Sequence, residues 1–542
     1  MFLSIRQYKM IKNVNYKLVL IILFNIIFAA FYFLQKQAYH VDEIFSFAHA
    51  NSTHGAYLTS GIDSFLNDSD NKIFRHTLNG DYFASYINPD YSQGLSYGHI
   101  IDNLKVGVHP PLYYFILHTA SYLSGGADKW TAFLFNAIFL SLLLTIVYKL
   151  AQKIFTDERM WYLGVIFCGF SLITFNMTVF IRSYLLQMLL TAWLIYEHVK
   201  LLEKDNVTYK DLLPIFIAAL LGFFTHYFLL LSTFIIAAVA CLILLLRKKY
   251  KILFMYAGAM LLSVLCFFVI WYPAFEILTG SSRSQQFSEK TADWYFMYTD
   301  LLLNRFYSII MTKIFSFNQP HMLISSLVAV GAVSLIWLRS IPINSAAKQM
   351  LSFSLPYCLL IAFISPDMKI YDDRYFAVFV PVLSLLILYG ADLFLQALKI
   401  TSAKLRFVIM LLIVAANIAY TDYSHRSAYL FKCSDATSAL TTKLAGTKII
   451  FYGDLFFLMN LVPVFAKADY VKAYYLLEPK LLTEALQTRE EEYLIADNTS
   501  QSSLNCSLNK PVPLPEKAAE FVTYQNTFNY GIYQYDLYKI NR

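Results

Sequence analysis

The sequence predicts a polytopic α-helical membrane protein with about eleven transmembrane helices and a small C-terminal extracytoplasmic α/β domain. Of the 542 residues, 58% are hydrophobic and only 15% are charged, and the mean hydropathy is +0.50. Several runs reach the ~20 apolar residues that are needed to cross the ~30 Å hydrocarbon core of a bilayer. The basic residues cluster beside these runs, so the net charge of +7 does not indicate nucleic-acid binding.

The first apolar run, residues 18–34, is predicted to be a permanent membrane span. No small-residue cleavage site follows it, and Gln35-Lys36-Gln37 comes next, which excludes a cleaved signal peptide. Basic residues precede the span and place the N-terminus in the cytoplasm, namely Arg6, Lys9, Lys12 and Lys17. Residues 36–129 therefore form a long first outer loop.

Ten further spans are predicted on apolar length, at 130–150, 160–181, 183–201, 212–226, 228–246, 252–272, 322–338, 350–366, 374–397 and 405–424. Five basic connectors fix their orientation, and they begin at Lys149, Lys200, Arg247, Arg339 and Lys399. All five are cytoplasmic only if the apolar run 111–124 does not cross the bilayer. We therefore expect a surface or re-entrant helix at 111–124 and an extracytoplasmic C-terminus.

The chain divides at the last span into a transmembrane domain, 1–424, and an extracytoplasmic tail, 425–542. The transmembrane domain includes a second outer loop at 273–321. The tail has strand-like runs at Lys448–Tyr452, Glu492–Ala496 and 521–538, with a turn near Asn529, and a helical stretch at 455–465. Cys433 and Cys506 could pair if the tail is extracytoplasmic. The other cysteines lie in apolar spans and are expected to pack there.

Candidate functional groups lie on the predicted outer side. Asp42 and Glu43 follow the first span directly, where a carboxylate either solubilises a loop or acts at the bilayer surface. His109, Arg182, His226 and Arg374 are predicted on the same side, each beside tyrosines. These tyrosines also fit an interfacial aromatic belt, and they are Tyr39, Tyr113, Tyr114, Tyr184, Tyr227, Tyr371 and Tyr375.

Arg182 and Arg374 stand outside, against the trend that places basic residues on the cytoplasmic side. Two explanations are open for each arginine. Its guanidinium could bind a phosphate through two hydrogen bonds. Alternatively, its side chain could lie at the membrane interface and extend towards water. A carboxylate can take a proton from an acceptor hydroxyl. Cations and hydroxyl groups can stabilise a departing phosphate. Together these groups suit a donor whose leaving group is a lipid phosphate.

The same motifs resemble the GT-C glycosyltransferases, in the branch that holds the protein O-mannosyltransferases, the aminoarabinose transferase of lipid A and the Rgt-type galacturonosyltransferases. The resemblance covers roughly residues 15–400. It is carried by Asp42-Glu43, His109-Pro110-Pro111-Leu112-Tyr113-Tyr114, Arg182-Ser183-Tyr184, Thr225-His226-Tyr227-Phe228 and Asp373-Arg374-Tyr375-Phe376, with Pro381 following. Each motif is short, and their order and spacing make the resemblance specific.

This resemblance implies a polyprenyl-phosphate sugar donor and inversion at the anomeric carbon. It implies that Asp42 is the general base or orients the acceptor, and that Glu43 holds the loop in place. Arg182, His226 and Arg374 would lie near the lipid phosphate. His109 and Tyr113 would line the first-loop side of the site, and the remaining predicted substrate-binding residues are Tyr184, Tyr227 and Tyr375.

The expected location is the inner (plasma) membrane, and the expected acceptor is the lipid A core, another envelope glycan or a protein. No cofactor is required, although a divalent cation between carboxylates is compatible with the chemistry. Asp68-Ser69-Asp70 has the form of a metal motif, but it lies in a polar Asn/Ser-rich loop and is interpreted as solvated. The alternatives are a transporter or flippase for a lipid-linked glycan, a protein like the O-antigen ligases or polymerases, and a non-catalytic scaffold.

Overall fold

The structure is a computed structural model of the full chain. It describes residues 15–58, 76–107, 109–280, 331–364, 372–424, 430, 442–453, 455–474, 479–488, 490–497, 514–530 and 533–541. The chain divides into two units. The helical unit comprises Met1–Phe31 and Phe133–Arg426, and the mixed unit comprises Tyr32–Ala132 and Ser427–Arg542.

The helical unit is built from α-helices of 5 to 26 residues. They are Tyr16–Phe33, Lys129–Ile154, Glu158–Gly169, Leu172–Val179, Tyr184–Glu203, Tyr209–Phe223, Phe228–Leu246, Tyr250–Ile270, Pro273–Gly280, Ser345–Ile364, Asp372–Phe376, Val380–Ala397 and Ala403–Ser424. A 3-10 turn, Ala377–Phe379, joins two of them, and residues 331–338 are also helical.

Seven helices in the described part of the chain are long and apolar enough to cross a membrane. A bent pair, Glu158–Gly169 and Leu172–Val179, makes an eighth candidate if it is one span. The protein is therefore a polytopic helical membrane protein, as predicted. The expected count of about eleven stays a prediction, because the predicted span 322–338 lies mostly outside the described residues.

Two contacts accompany the bend between these helices, one local and one from the first span. The two helices meet at 55°, and the side chain of Ser171 accepts a hydrogen bond from the Thr174 amide to cap the second helix. Gly169 ends the first helix, and a Cβ there would lie 2.3 Å from Asn25 Oδ1 of the first span. The span predicted at 160–181 is therefore broken where a glycine allows a neighbouring helix to approach closely.

The mixed unit contains short helices and one six-stranded sheet. Its helices are Val41–Asn51, Gly80–Ile87, Gly98–Lys105, Leu112–Ser124, Leu455–Asn460, Val462–Phe465, Pro479–Thr488 and Glu516–Ala519, with a 3-10 turn at Tyr91–Gln93. The helix Leu112–Ser124 has 13 residues, which is too few to cross a bilayer, in agreement with the prediction for this run.

The strands of the sheet come from both segments of the mixed unit. They are β1 His76–Asn79, β2 Lys448–Tyr452, β3 Tyr470–Tyr474, β4 Tyr493–Asp497, β5 Val522–Tyr530 and β6 Tyr533–Ile540. Their order is β1-β3-β2-β4-β6-β5, with β2 parallel to β3 and β4 and the other pairs antiparallel. The predicted strand 448–452 and the C-terminal hairpin are confirmed.

The pairing of β1 with β3 changes the predicted domain division. The tail was expected to fold as a domain of its own, but Thr77 pairs with Lys472 and Leu78 with Val471. The first loop therefore supplies an edge strand to the sheet of the tail. This pairing, together with packing of Phe83 on Phe465 at 5.5 Å between ring centroids, explains why the two segments form one unit.

The sheet buries side chains on both faces, because consecutive residues of β2 and of β4 are buried. Helices Pro479–Thr488 and Glu516–Ala519 cover one of these faces. The buried residues that meet there are Ile450, Tyr452, Leu482, Leu486, Leu494, Ala518, Val522 and Ile540.

Gly80, directly after β1, lies against the backbone of the tail. Its amide donates to Asp469 O at 3.2 Å, and a Cβ at this position would lie 2.2 Å from Ala468 O. We expect Gly80→Ala to destabilise the mixed unit by about 1–3 kcal/mol, because backbone must move to make room. Thermal unfolding of the purified protein measures this loss.

Gly98→Ala provides the matched control for Gly80→Ala. Gly98 also begins a helix of the mixed unit, but a Cβ there would meet no atom within 4 Å. Equal melting temperatures for the two variants would contradict the close approach at Gly80.

Candidate active site

Five of the predicted site residues meet inside the helical unit. Arg182, Tyr184, His226, Arg374 and Tyr375 come from three separate parts of the chain, and they join Phe180 and Phe228 in what we call the cation–aromatic cluster. The ring-bearing members of this cluster contact one another, with distances between ring centroids from 4.4 to 6.3 Å.

Arg374 lies at the centre of the aromatic side of this cluster. Its side chain is only 2% exposed, and its guanidinium carbon stands 4.9 Å from the centroid of Phe180 and 5.9 Å from that of Tyr184. The rings of Phe180 and Tyr184 are themselves nearly parallel, at 8° and 6.1 Å. A guanidinium over aromatic faces gains cation–π stabilisation and is held in orientation.

Arg182 is also buried, at 8% exposure, in the connector between the bent pair and the helix Tyr184–Glu203. Burial and then the charge of Arg182 lower the pKa of His226 to about 3, so the imidazole is neutral at pH 7. The Phe228 amide donates to His226 Nδ1 at 3.1 Å, which leaves Nε2 as the protonated nitrogen. His226 is therefore a neutral hydrogen-bond donor within the cluster.

Asn136 fixes the connector that carries Arg182, a role that no sequence pattern indicates. The Asn136 side chain is buried, and its Nδ2 donates to Thr178 O at 2.9 Å and to Phe180 O at 3.1 Å. An amide that binds these two carbonyls replaces helical hydrogen bonds that are missing at the C-terminal end of the helix Leu172–Val179. The position of Arg182 thus depends on a residue 46 positions earlier in the chain.

Tyr227 and Tyr375 differ in how they contact the cluster. Tyr375 packs its ring on Phe228 at 4.4 Å, and its carbonyl accepts from the Tyr357 hydroxyl at 3.2 Å. The Tyr227 hydroxyl accepts from Trp271 Nε1 at 3.0 Å, and burial raises the pKa of Tyr227 to about 12. These contacts give Tyr227 a defined packing role, and its predicted contact with substrate stays a prediction.

Asp42 and Glu43 begin a helix of the mixed unit, Val41–Asn51, and have different surroundings. Asp42 keeps 20% of its side chain exposed, with one carboxylate oxygen 3.6 Å from His40 Nδ1. The Asp42 amide donates to the same nitrogen at 3.1 Å. Glu43 is completely buried, and its carboxylate accepts from the His40 amide at 2.8 Å. Asp42 is thus the accessible carboxylate of the two.

Lys36 completes the arrangement around Glu43. Its amine lies 2.9 Å from Glu43 Oε2, and the two side chains are 1% and 0% exposed. Burial lowers the pKa of Lys36, and the neighbouring carboxylate of Glu43 opposes this shift. The Lys129 amine donates to the Lys36 carbonyl. The ion pair fixes the Glu43 carboxylate at the start of its helix, and the role of Glu43 in holding the loop stays a prediction.

His49 and Tyr114 extend the face of the helix that carries Asp42. Asp42, Phe45 and His49 follow one another at i, i+3 and i+7, which places them on one side of the helix. The His49 ring lies 5.6 Å from that of Tyr114. The predicted residue His109 contacts the same ring at 6.2 Å.

Tyr113 and Gly107 complete this side of the mixed unit. Tyr113 is buried at 4% exposure, with its ring 5.8 Å from Tyr114. A Cβ on Gly107 would stand 3.1 Å from His49 Nε2, so the loop backbone lies directly against the imidazole. His49 was missed in the sequence because its Ala-His-Ala-Asn setting resembles ordinary helix packing.

In the part of the chain that the structure describes, no group of three or more His, Cys, Asp or Glu side chains is arranged to hold an ion. Asp68-Ser69-Asp70, Tyr371, Cys433 and Cys506 lie outside the described residues.

One family model matches this chain, over residues 108–272, and its description is dolichyl-phosphate-mannose-protein mannosyltransferase. The matched range contains His109, Tyr113, Arg182, Tyr184, His226 and Tyr227. The predicted resemblance to the GT-C glycosyltransferases is thereby confirmed for this segment. No curated protein matches the sequence.

Among solved structures, the chain is similar to three glycosyltransferases. ArnT from Cupriavidus metallidurans bound to undecaprenyl phosphate shares 11% identity at a TM-score of 0.47, covering 80% of this chain and 88% of that one. The Archaeoglobus fulgidus oligosaccharyltransferase shares 12% at 0.41, covering 78% and 64%. The arabinofuranosyltransferase AftD from Mycobacteria shares 12% at 0.44, covering 96% and 40%. These TM-scores lie below 0.5, so the similarities carry no conclusion about function.

Proposed function

We propose that this protein is a membrane glycosyltransferase. It moves a sugar from a polyprenyl-phosphate donor to an envelope acceptor on the extracytoplasmic side, with inversion at the anomeric carbon. The observation that carries the proposal is the cation–aromatic cluster, in which Arg182 and Arg374 are 8% and 2% exposed inside a unit of apolar helices. Ionisable groups at such places are costly and are retained for function. The family-model match over residues 108–272 supports the same reaction class.

Arg182 and Arg374 bind the phosphate of the donor in this proposal. A guanidinium offers donors in a planar fork that matches phosphate oxygens, and it keeps its charge in a buried setting. His226 is neutral and donates through Nε2, which adds a hydrogen bond without a further charge. As the bond between the anomeric carbon and the phosphate oxygen breaks, the phosphate gains negative charge, and these donors stabilise it.

Asp42 acts on the acceptor. A hydroxyl oxygen of the acceptor attacks the anomeric carbon from the face opposite the phosphate, and Asp42 takes the hydroxyl proton. The phosphate leaves with the bonding electron pair, so charge and atoms balance without a nucleotide or a metal. Asp42 is suited to this role because it is partly exposed, whereas Glu43 is buried against Lys36.

Comparative mass spectrometry of envelope lipids and glycans tests the function as a whole. We expect cells with the wild-type protein to contain a glycosylated product that is absent without the protein and absent with Asp42→Asn. The unmodified acceptor should accumulate in both cases. A flippase would behave differently, because the glycan would remain on its lipid donor on the inner side and no single carboxylate would be required. Identical envelope profiles with and without the protein would contradict the proposal.

Arg374→Lys tests the phosphate-binding assignment. We expect KM for the polyprenyl-phosphate sugar to rise by about 10-fold or more, because an ammonium cannot reproduce the planar stacking on Phe180 and Tyr184 or the two parallel hydrogen bonds. Steady-state kinetics with varied donor measure the change.

The control for Arg374→Lys is Arg159→Lys. The Arg159 guanidinium also lies over an aromatic ring, 5.3 Å from the centroid of Phe407, but its side chain is 41% exposed and pairs with Asp157. Its replacement should leave KM for the donor unchanged. Equal kinetics for both variants would remove Arg374 from donor binding.

A further inference from the structure

Two histidines outside the proposed active site form a close pair in the mixed unit. His99 belongs to the helix Gly98–Lys105 and His118 to the helix Leu112–Ser124. Their ring centroids are 4.9 Å apart and the ring planes meet at 71°. The residues that orient them, Ala50 and Asn51, come from the end of a third helix. This pair therefore connects three elements of the unit.

The hydrogen bonds of Asn51 determine which nitrogen of His118 carries its proton. Asn51 Nδ2 donates to Ile87 O at 2.7 Å, so the amide oxygen of Asn51 faces His118. That oxygen lies 3.0 Å from His118 Nδ1 and can only accept. His118 Nδ1 is therefore protonated, and Nε2 holds a lone pair.

A different contact determines which ring nitrogen of His99 carries the proton. Its Nε2 lies 3.0 Å from Ala50 O, a carbonyl that can only accept, so Nε2 is the protonated nitrogen. His99 Nδ1 then holds the lone pair. Burial and then the nearby His99 lower the pKa of His118 to about 4, although the backbone carbonyls of Ala50 and Ser96 oppose this shift, and the ring is neutral at pH 7.

Both lone pairs are buried and lack a donor. Neither His99 Nδ1 nor His118 Nε2 has a hydrogen-bond partner among the residues that the structure describes. The same holds for Ser121 Oγ, which lies one turn after His118 on the same helix and is 1% exposed. Leaving a buried polar atom without a partner costs about 1–3 kcal/mol. These three atoms lie on two helices that are in contact through the rings of His99 and His118, and together they point to a ligand that satisfies them.

A metal ion fits this chemistry. Metal-binding histidines typically donate their other N–H to a carbonyl or carboxylate, which fixes the tautomer and orients the ring. Two imidazoles on one tetrahedral ion, with nitrogen–metal distances of about 2.0–2.1 Å, have ring centroids about 5 Å apart. The observed separation is 4.9 Å.

We propose that His99 Nδ1 and His118 Nε2 bind one Zn²⁺ or Cu²⁺ ion, with Ser121 Oγ and water available for the remaining coordination positions. Imidazole ligands select zinc and copper, whereas Mg²⁺ and Ca²⁺ prefer oxygen ligands. The ion joins two helices whose orienting carbonyls come from a third, so its role is to stabilise the mixed unit. This site goes beyond the proposed sugar transfer and does not depend on it.

Copper spectroscopy on the full-length protein tests the site. The protein is purified with a tag that contains no histidine, stripped with EDTA and titrated with Cu²⁺ or Zn²⁺. We expect one ion per chain, and the electron paramagnetic resonance of the copper form should show two imidazole nitrogens.

His99→Gln and His118→Gln should each show one nitrogen at most, and each should lower zinc affinity by more than about 10-fold, since outer-shell changes alone cost about 10–100-fold. Zn²⁺ should raise the melting temperature of the wild type, whereas Mg²⁺ should not.

His54→Gln is the matched control. His54 lies in the same unit, stacked on Tyr82 at 5.3 Å with its Nε2 3.0 Å from Ser85 Oγ, and its loss should not change the copper spectrum. A wild-type spectrum with fewer than two imidazole nitrogens would overturn the proposal even if the histidine variants failed to fold. Unchanged stoichiometry in both folded variants would overturn it as well.

Discussion

Asp42→Asn is expected to abolish most of the sugar transfer to a hydroxyl acceptor. Asparagine has nearly the same shape as aspartate but cannot accept the hydroxyl proton, and loss of a general base costs about 10²–10⁴-fold in rate. We expect the loss in kcat, with little change in KM for the donor, because the phosphate is assigned to Arg182 and Arg374. Release of polyprenyl phosphate from purified donor measures the rate.

Asp102→Asn is the control for Asp42→Asn. Asp102 is an exposed carboxylate of the same unit, paired with Lys105 at 2.8 Å on one helix, and its replacement should leave the rate unchanged. Near-normal turnover of Asp42→Asn with a hydroxyl acceptor would remove the general-base role. In that case the acceptor nucleophile would be an anion such as a phosphate, which needs no base, and Asp42 would only position it.

Much of the helical unit could be predicted because its signals are local. Apolar runs of span length mark most of its helices, and the side of the membrane on which each loop lies stays a prediction from the basic connectors. Arg182 and Arg374 stood out by contradicting that charge pattern, and the structure brings both to the aromatic rings around Phe180 and His226.

Long-range pairing limited the prediction of the mixed unit. Strand β2 was predicted at its observed bounds because it is a run of β-branched and aromatic residues beside a basic residue. Strand β1 was missed, since His76–Asn79 is short and polar and becomes a strand only by pairing with residues nearly 400 positions later. This kind of tertiary contact leaves no periodic signal in either segment.

The break at Gly169 and the partners of the site residues were also beyond the sequence. A continuous apolar run from 160 to 181 predicts one span, and the packing of Asn25 on Gly169 that accompanies the bend leaves no pattern in that run. Likewise, Glu43 was predicted to hold the loop, but nothing local in the sequence indicates that Lys36, seven residues earlier, is the cation it contacts.

Lys36→Met is expected to destabilise the protein by about 3–5 kcal/mol, because it removes the cation beside a carboxylate that is completely buried. The double variant Lys36→Met with Glu43→Gln should recover much of this loss. The glutamine oxygen still accepts from the His40 amide, and no buried charge is left. Recovery of the lost stability would show that the buried charge of Glu43, and not its hydrogen bond to the His40 amide, causes the loss in Lys36→Met. Denaturant or thermal unfolding of the purified protein measures the stability of each variant.

The comparison with Lys105→Met makes this prediction specific. Lys105 forms an equally short ion pair with Asp102, at 2.8 Å, but the two side chains are 41% and 73% exposed, and such surface pairs contribute about 0–1 kcal/mol. If Lys36→Met and Lys105→Met cost the same, the buried pair does not hold the loop. If Lys36→Met alone unfolds the mixed unit and the double variant restores both folding and transfer, the loss in Lys36→Met comes from the uncompensated buried charge of Glu43, and the pair has no direct part in catalysis.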